Sequence, residues 1–509
     1  MLALCSGDTV ATPGKMEAGV QRGEIRRLQW GRDANRGATL RGRGPANLAG
    51  PAVRRTARSR PVAAEAVAAL DPAPASAEEE TVALLQIAAE IEGALMVQYL
   101  FAAGSLLQGV SVEIDGFDHP IVSDDWYDVM RTVAKQEMGH LITVQNLLLS
   151  LNVQPHVDRE NMPLSSPLYP FPFSLQTARL STLAKYVCAE APHEVAAADR
   201  ADYEDAVRQA GAVVGDIPRA GQIYERLFWL LQDSDEPQEP WPDLKNPFPD
   251  WPKWHVDARS IGFNQDRQAT PDEWRGDDAS APADTGIYVL QVTDKASARL
   301  AVYTIGAQGE GPEADPGSTH FDKFLRLFRE RRAVDAHAAS PTFVRNQADD
   351  PKTGISGPAT ITDPKTLAWA RLGNLRYQML LVDIALAVTV GPTGTAPSVS
   401  ATRSDFCQWA FREMLTSIKP LSAELCQMPL TAGASPTDAR AGLPYELPDT
   451  NLPDTIADQI QYLRDHAASS VALRAEITAS FNPTPKQTNI LRAIGNIDTA
   501  IQQKLGVGS

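Results

Sequence analysis

The longest regular alternation of apolar and polar residues lies over residues 126–151. Within it, Glu137 and His140 are three positions apart and therefore lie one turn apart on the same side of a helix. A carboxylate and an imidazole placed in this way can bind one metal ion together. The helix itself is predicted because apolar side chains recur at steps of three to five residues, at Val129, Val133, Met138, Leu141, Val144, Leu148 and Leu151.

Similar patterns predict three more helices in this part of the chain, over residues 81–107, 175–191 and 217–231. Each carries a glutamate beside its apolar face or in its last turn: Glu92, Glu190 and Glu225. Glu92 alone is read most simply as a surface charge. A buried carboxylate, however, is costly unless a cation pairs with it, and the helix dipole disfavours a carboxylate in a last turn. Four successive helices with inward carboxylates are what a dinuclear iron or manganese bundle needs.

The fourth helix departs from the pattern of dinuclear carboxylate bundles, in which two helices each supply Glu-x-x-His. Here Phe228 stands three residues after Glu225. The second histidine therefore comes from elsewhere or is missing, which leaves one or two metal ions open. His320 is the best candidate because it opens a predicted helix after the sequence QGEG, with Ser318 as its N-cap. The alternative for His320 is a residue at a helix start that bonds only to the backbone.

The remaining segments are organised around this bundle, and the predicted fold class is all-α, with additional C-terminal helices and long irregular insertions. Residues 287–292 (IYVLQV) are the candidate strand, and later helices are predicted over 294–307, 320–332, 364–390, 404–425 and 454–481. Aromatic residues within 241–254 are expected to cover a pocket. The predicted divisions are a disordered Arg/Gly/Ala-rich tail (1–63, with a transit peptide as the alternative), a linker (64–80), the metal-binding bundle (81–235), a Trp/Pro-rich excursion (236–282), additional helices (283–450) and a C-terminal helical segment (451–509).

The charge distribution limits the classes of binding partner, and the cysteine content indicates the cellular compartment. The chain has 509 residues and a formal net charge of −16; residues 1–60 carry twelve Lys/Arg against four Asp/Glu, a net of +8, which leaves −24 for the rest. An acidic body argues against nucleic acid and against an anionic membrane surface as partners. No apolar run reaches the roughly 20 residues of a transmembrane helix. Four cysteines without a C-x-x-C pair favour a reducing compartment, so the expected location is cytoplasmic.

Several sequence motifs resemble a known family. The run EGALMVQY from Glu92 to Tyr99 and the segment KQEMGHLITVQNLL resemble the first two helices of ferritin-like proteins. Five later motifs resemble, in the same order, the ferritin-like domain of the iminophenyl-pyruvate dimer synthases: AEAP at Glu190, IYE at Glu225, YTIGAQGEG, STHFDKF at His320, and FREML followed by AGLPYELP. The similarity covers about residues 80–450. That family occurs in bisindole pigment biosynthesis and in many stand-alone proteins.

The resemblance implies a ferritin-like four-helix bundle and an iron-dependent oxidoreductase acting on a small amino-acid-derived substrate. O₂ or peroxide would be the oxidant, and manganese is the alternative metal. Tyr99 would be a redox or hydrogen-bonding group near the metal, or simply a buried tyrosine bonded to a ligand carboxylate. Homo-oligomerisation is left open. The competing prediction is a non-catalytic metal-binding or structural helical protein. The implied metal ligands are Glu92, Glu137, His140, Glu190, Glu225 and His320, with Glu310 in reserve.

Overall fold

A computed structural model describes most of the chain after residue 73. The predicted tail, most of the predicted linker and excursion, and Ser318 lie outside the described residues. The described residues are 74–166, 169–192, 194–214, 219–232, 254–257, 261–275, 287–310, 319–354, 357–391, 396 and 399–506.

Helices form nearly all of the regular structure in these residues, and the predicted all-α class is confirmed. The two short strands pair antiparallel within the connection between the first two helices. In chain order the elements are α1 (Ala77–Gly104), β1 (Ser111–Val112), β2 (Ile121–Val122), α2 (Ser123–Ser150), α3 (Leu180–Ala189), α4 (Arg200–Gln209), α5 (Gly221–Leu230), α6 (Pro271–Arg275), α7 (Lys295–Glu310), α8 (His320–Ala336), α9 (Pro364–Ala387), α10 (Arg403–Arg412), a π-helical turn (Glu413–Ile418), α11 (Lys419–Leu425), α12 (Ile456–Phe481) and α13 (Pro485–Leu505).

The ends of the helices that carry the predicted site follow from local capping. α1 begins where an acidic run is capped: the Ser76 side chain accepts a hydrogen bond from the Glu79 backbone N–H at 3.2 Å, and three glutamates occupy the first turn. α8 begins at His320 because Thr319, one residue after the expected cap, accepts from the Asp322 backbone N–H at 3.0 Å. His320 is therefore the first helical residue.

The bundle consists of one long helix pair and several short helices. α1 and α2, each 28 residues long, pack along one another. Opposite them, α3 packs against α8 and α5 packs against α7, and α5 also contacts α1. α3 and α5 have only ten residues each, so neither runs the full length of α1 and α2. The side of the bundle that faces α1 and α2 is therefore built from several short elements, whose side chains meet at the same height along the long helix pair.

The predicted strand over residues 287–292 is wrong, since the structure has no strand there. Side chains take the place of a partner strand. Asn146 Nδ2 donates to the Leu290 carbonyl at 2.8 Å. The Gln268 side chain accepts from the Val292 N–H at 2.7 Å and donates to the Val292 carbonyl at 2.8 Å. The β-forming residues are thus satisfied without a sheet.

The C-terminal helices form a second packed group on the same hydrophobic core. α9 packs against α10, the π-helical turn and α12, and α12 packs against α13. The helix predicted over residues 404–425 is observed, with the π-helical turn inserted in its middle. Among the described residues, no helix combines the length and the apolar character needed to cross a bilayer.

Candidate metal centre

Five predicted ligand side chains meet at the level where α3 ends and α8 begins: Glu92 from α1, Glu137 and His140 from α2, Glu190 from the C-terminal cap of α3, and His320 from α8. We call these five residues the Glu137 cluster. All are buried, with at most 6% of the residue exposed. They form two groups with mutually close ligand atoms, within 4.8 Å, and Glu137 belongs to both groups.

Glu137 lies between the two halves of the cluster. Its Oε2 is 2.7 Å from Nδ1 of His140, and its Oε1 is 3.0 Å from Nδ1 of His320. On the outer sides, Glu92 Oε2 is 3.4 Å from Nδ1 of His140, and Glu190 Oε2 is 3.6 Å from Nδ1 of His320. The two halves are therefore built alike, each with one outer carboxylate and one imidazole. The second Glu-x-x-His of the sequence pattern is replaced here by residues of two separate helices.

Each outer carboxylate accepts a hydrogen bond from a buried tyrosine. The Tyr224 hydroxyl donates to Glu92 Oε1, and the Tyr99 hydroxyl donates to Glu190 Oε1. Burial raises the pKa of both phenols well above 10, so both stay protonated donors. These bonds leave Oε2 of each carboxylate facing the cluster. Tyr99 thus has the contact expected of a tyrosine bonded to a ligand carboxylate, whereas Tyr224 was not identified from the sequence.

Two glutamines hold the outer nitrogens of the histidine rings. Gln308 Oε1 is 2.7 Å from Nε2 of His140, and Gln136 Oε1 is 3.2 Å from Nε2 of His320. Gln136 Oε1 also accepts from the Lys323 ammonium at 3.1 Å. Because an ammonium can only donate, this atom of Gln136 is the amide oxygen, and Nε2 of His320 carries the proton. In the neutral ring, the lone pair then lies on Nδ1, which faces the carboxylates.

Charge within the metal-free cluster is balanced by protons. Burial and the negative charge of Glu137 raise the pKa of Glu92 to about 7. Burial opposes the ionisation of Glu137, but the two imidazoles, His320 first and then His140, outweigh it and lower the pKa of Glu137. Burial would also discharge both histidines, yet Glu137 overcomes it and raises the pKa of His320 to about 8 and that of His140 well above 6.5.

The residues present fit a metal centre. Glu92 Oε2 and Glu137 Oε1 are buried and, within the described part of the chain, accept no hydrogen bond of acceptable geometry. Buried carboxylate oxygens are rarely left in this state, and a metal ion would satisfy them. A cavity of about 20 Å³ lies among the five side chains, with Leu95, Tyr224 and Ile305 also in its wall. Three carboxylates and two imidazoles suit iron or manganese better than a thiolate-binding metal.

The structure does not bring Glu225 to the cluster. Glu225 is buried on α5, and its Oε1 lies 3.3 Å from Arg219 Nη2. Successive helical residues are rotated by about 100°, so the neighbouring Tyr224 is the side chain that reaches Glu92. The sequence offered a signal for Tyr224 only in its position next to Glu225. Glu310 ends α7, and its side chain lies outside what the structure describes.

The all-α fold is consistent with that of ferritin-like proteins. Residues 85–329 match the family model described as Ferritin-like, and this range contains the Glu137 cluster and both tyrosines. The chain is also similar to dichlorochromopyrrolate synthase of Lentzea aerocolonigenes, with 25% identity over 390 residues, covering 70% of this chain and 35% of that protein. These matches confirm the resemblance drawn from the sequence motifs. The chain spans about a third of the length of that relative.

A solved structure, described as a ferritin like protein from Caulobacter vibrioides, is similar over 65% of this chain and 94% of its own chain. Its sequence identity to this chain is 16% and the TM-score is 0.35.

Proposed function

We propose that this protein is a metal-dependent oxidoreductase with a dinuclear centre held by the Glu137 cluster. Iron is the proposed metal and manganese the alternative. The observation that carries the proposal is the convergence of three buried carboxylates and two imidazoles on both sides of Glu137, with two carboxylate oxygens left without a hydrogen bond. By similarity to dichlorochromopyrrolate synthase and to the iminophenyl-pyruvate dimer synthases, the substrate is a small amino-acid-derived molecule.

Iron bound in the cluster would supply one-electron redox chemistry with O₂ or peroxide as the oxidant. Glu137 would be a ligand in both halves, because its two oxygens face the two histidines separately. Tyr224 and Tyr99 fix the outer carboxylates by hydrogen bonds to Oε1, so that Oε2 remains aimed inward. Hydrogen bonds from the histidine Nε2 atoms to glutamine oxygens keep Nδ1 directed at the centre.

One observation favours a second candidate, a metal-binding helical protein without turnover. The cavity inside the cluster measures only about 20 Å³. Room of this size accommodates roughly one water-sized molecule and excludes an organic substrate. Under the enzyme proposal, the substrate is therefore oxidised from a position beside this cavity.

The experiment that tests the proposal measures metal content and oxidant consumption. The purified protein is loaded anaerobically with Fe(II), desalted and assayed for iron by plasma mass spectrometry, with about two ions per chain expected from the two ligand groups. Glu137→Ala and His140→Ala should each abolish bound iron and leave the helical circular dichroism spectrum unchanged. Near-zero iron and manganese, with an unchanged melting temperature after Fe(II) addition, would refute the metal centre.

Oxygen uptake then separates the two candidates. With no other reductant present, an enzyme consumes O₂ repeatedly when an imine of an aromatic amino acid is supplied, because the electrons that reduce O₂ come from oxidation of that imine. A binding protein consumes no more O₂ than its bound Fe(II) can reduce. Full metal loading with uptake limited to that single event would reject the oxidoreductase and leave the metal-binding protein.

A further inference from the structure

A second and much larger cavity lies where the ferritin-like domain meets the C-terminal helices. Its volume is about 570 Å³, within the range of roughly 300–1,000 Å³ that ligand pockets occupy. The walls come from the last turns of α1, the first half of α2, α9, α10, the π-helical turn and α11. Among the described residues, its lining shares no side chain with the small cavity in the Glu137 cluster.

Seven aromatic or sulfur-containing side chains line this cavity. Flat rings and thioethers form adaptable contacts with ring-shaped molecules. Leu415, in the π-helical turn, lines the cavity although half of it is exposed to solvent. π-Helical turns are rare and often occur at functional sites. The rings and thioethers in the lining belong to Tyr127, Tyr377, Phe411, Tyr445, Met96, Met138 and Met414.

The charges of the lining are opposite in sign to those of the chain. The molecule has a net charge of −16, yet five cationic side chains and one carboxylate, Asp124, line this cavity. Such local excess attracts and orients anions. Two of the cations already have carboxylate partners, since Arg131 pairs with Asp128 at 3.0 Å and Lys486 with Glu424 at 2.5 Å. The five cations are Arg131, Lys135, Arg345, Lys419 and Lys486.

Arg345 differs from Arg131, the other arginine of the lining, in having no carboxylate partner among the described residues. Its side chain is partly buried and forms no ion pair within the described residues, and its Nε is buried without a hydrogen-bond partner. Its backbone is held in place, because the Arg345 N–H donates to the Ser105 carbonyl at 2.8 Å at the end of α1. The planar guanidinium of an arginine on such a backbone matches a carboxylate or sulfonate with two parallel hydrogen bonds.

We propose that this cavity binds a small organic anion with an aromatic body, whose carboxylate or sulfonate contacts Arg345. The rings of the ligand would pack among the tyrosines, Phe411 and the methionines. A neutral apolar ligand would leave the positive charge of Arg345 without a counter-charge, and a polar anion without rings would leave the apolar walls in contact with water. The proposal does not depend on metal in the Glu137 cluster.

A pair of fluorescent probes that differ in one charged group tests the proposal. 1-Anilinonaphthalene-8-sulfonate carries a sulfonate that N-phenyl-1-naphthylamine lacks. Both should bind the folded protein saturably. Arg345→Gln should weaken binding of the sulfonate about tenfold and change binding of the neutral probe less than twofold. Arg412→Gln is the matched control, because Arg412 is exposed and lies outside the lining. Equal effects of the two variants, or no saturable binding, would overturn the proposal.

Two further measurements place the ligand and define its body. Ala423 lies at the exposed rim of the lining, so Ala423→Trp should fold normally and weaken both probes; unchanged affinities would show that they bind elsewhere. 2-Naphthoate should displace the sulfonate probe at a concentration about tenfold lower than 2-naphthalenemethanol or decanoate requires. Displacement by the alcohol at the same concentration as the naphthoate would overturn the role of the anion, and equal displacement by decanoate would overturn the aromatic body. Metal content should be the same in all three variants.

Discussion

Two regions of this protein bury several carboxylates, and they solve the electrostatic problem differently. In the C-terminal helices, Arg376 lies between Glu413 and Asp498, and all three are at most 1% exposed. The guanidinium donates to both oxygens of Glu413 and to Oδ1 of Asp498. Oδ2 of Asp498 accepts from Ser470 at 2.7 Å and from Arg474 at 3.1 Å. We call this group the Arg376 cluster, and all four of its carboxylate oxygens are hydrogen-bonded.

The Glu137 cluster has more carboxylates and no guanidinium. Its positive groups are two imidazoles, and two of its carboxylate oxygens accept no hydrogen bond within the described residues. The comparison shows that Glu413 and Asp498 are fully hydrogen-bonded because the chain places a permanent cation between them. Where it supplies only groups that bind metal ions as well as protons, the unmet oxygens mark a place for an external cation.

The largest expected effect comes from removing the internal cation. Arg376→Met should destabilise the protein by about 3–5 kcal/mol, because Glu413 and Asp498 would remain buried without a counter-charge. Urea denaturation measures the loss. Arg474→Met is the control, since Arg474 is partly exposed and contacts only the satisfied Asp498, and it should cost about 1 kcal/mol or less. A loss under about 1 kcal/mol for Arg376→Met would mean that the cluster relaxes on mutation.

Supplying the external cation should have the next largest effect. Fe(II) or Mn(II) at about 100 times its dissociation constant should raise the free energy of unfolding by about 2.7 kcal/mol under anaerobic conditions. Glu190→Gln should greatly reduce this stabilisation, because Glu190 is an outer carboxylate of the Glu137 cluster. Glu225→Gln is the matched control and should keep it, because Glu225 faces Arg219 instead. If both variants lose the metal-induced stabilisation to a similar extent, Glu225 would have to be counted among the metal ligands.

The sequence predicted what depends on local patterns. The periodicity of α1 and α2, the three-residue spacing of Glu137 and His140, and the helix start at His320 all follow from neighbours along the chain. Whether Tyr224 or Glu225 faces α1 depends instead on how α5 is rotated against its neighbours, which periodicity did not resolve. Gln136 and Gln308 gave no signal, since an amide becomes informative only when a ring nitrogen is seen opposite it.

The Arg376 cluster shows why other features of the structure could not be predicted from the sequence. Arg376 meets Glu413 across 37 positions and Asp498 across 122, so no spacing rule connects them. The shortness of α3 and α5 is likewise set by tertiary packing, since their sequences read as parts of longer helices. The strand expected at residues 287–292 failed for the same reason, because Asn146 and Gln268 satisfy that backbone from distant positions.

A smaller effect is expected if Tyr224 and Tyr99 fix the orientation of the outer carboxylates of the Glu137 cluster. Tyr224→Phe and Tyr99→Phe should each lower the affinity for Mn(II) about 10-fold, because each frees one carboxylate to rotate away from the centre. Calorimetric titration of the metal-free protein measures this. Tyr186→Phe is the control: Tyr186 is equally buried and packs on Tyr99 at 4.7 Å between ring centroids, but its hydroxyl bonds to the Gln98 carbonyl. A loss as large in Tyr186→Phe would assign the effect to packing.

The last prediction concerns Asp383, a buried acid beside the Arg376 cluster that the guanidinium does not reach. Neither of its oxygens forms a hydrogen bond within the described residues. Burial and the charge of Glu413 raise its pKa well above 3.8, against the opposing effect of Arg376. The folded protein therefore keeps a proton on Asp383 that the unfolded chain releases above about pH 4.

Because the pKa of Asp383 is raised on folding, its favourable contribution is complete below the unfolded pKa and is lost as pH rises. Relative to Asp383→Asn, the wild type should lose unfolding free energy as pH rises from 5 to 6, by at most about 1.4 kcal/mol for that one pH unit. Asn has nearly the same shape and does not titrate, so differences in packing cancel when urea denaturation is compared across pH. Asp438→Asn, on the exposed surface, should show no such dependence in this range, since the pKa of Asp438 is lowered by hydrogen bonds from Ser435. A constant gap between wild type and Asp383→Asn from pH 4 to pH 7 would mean that Asp383 is ionised in the folded protein. The guanidinium of Arg376 would then balance the negative charge of Asp383 in addition to those of Glu413 and Asp498.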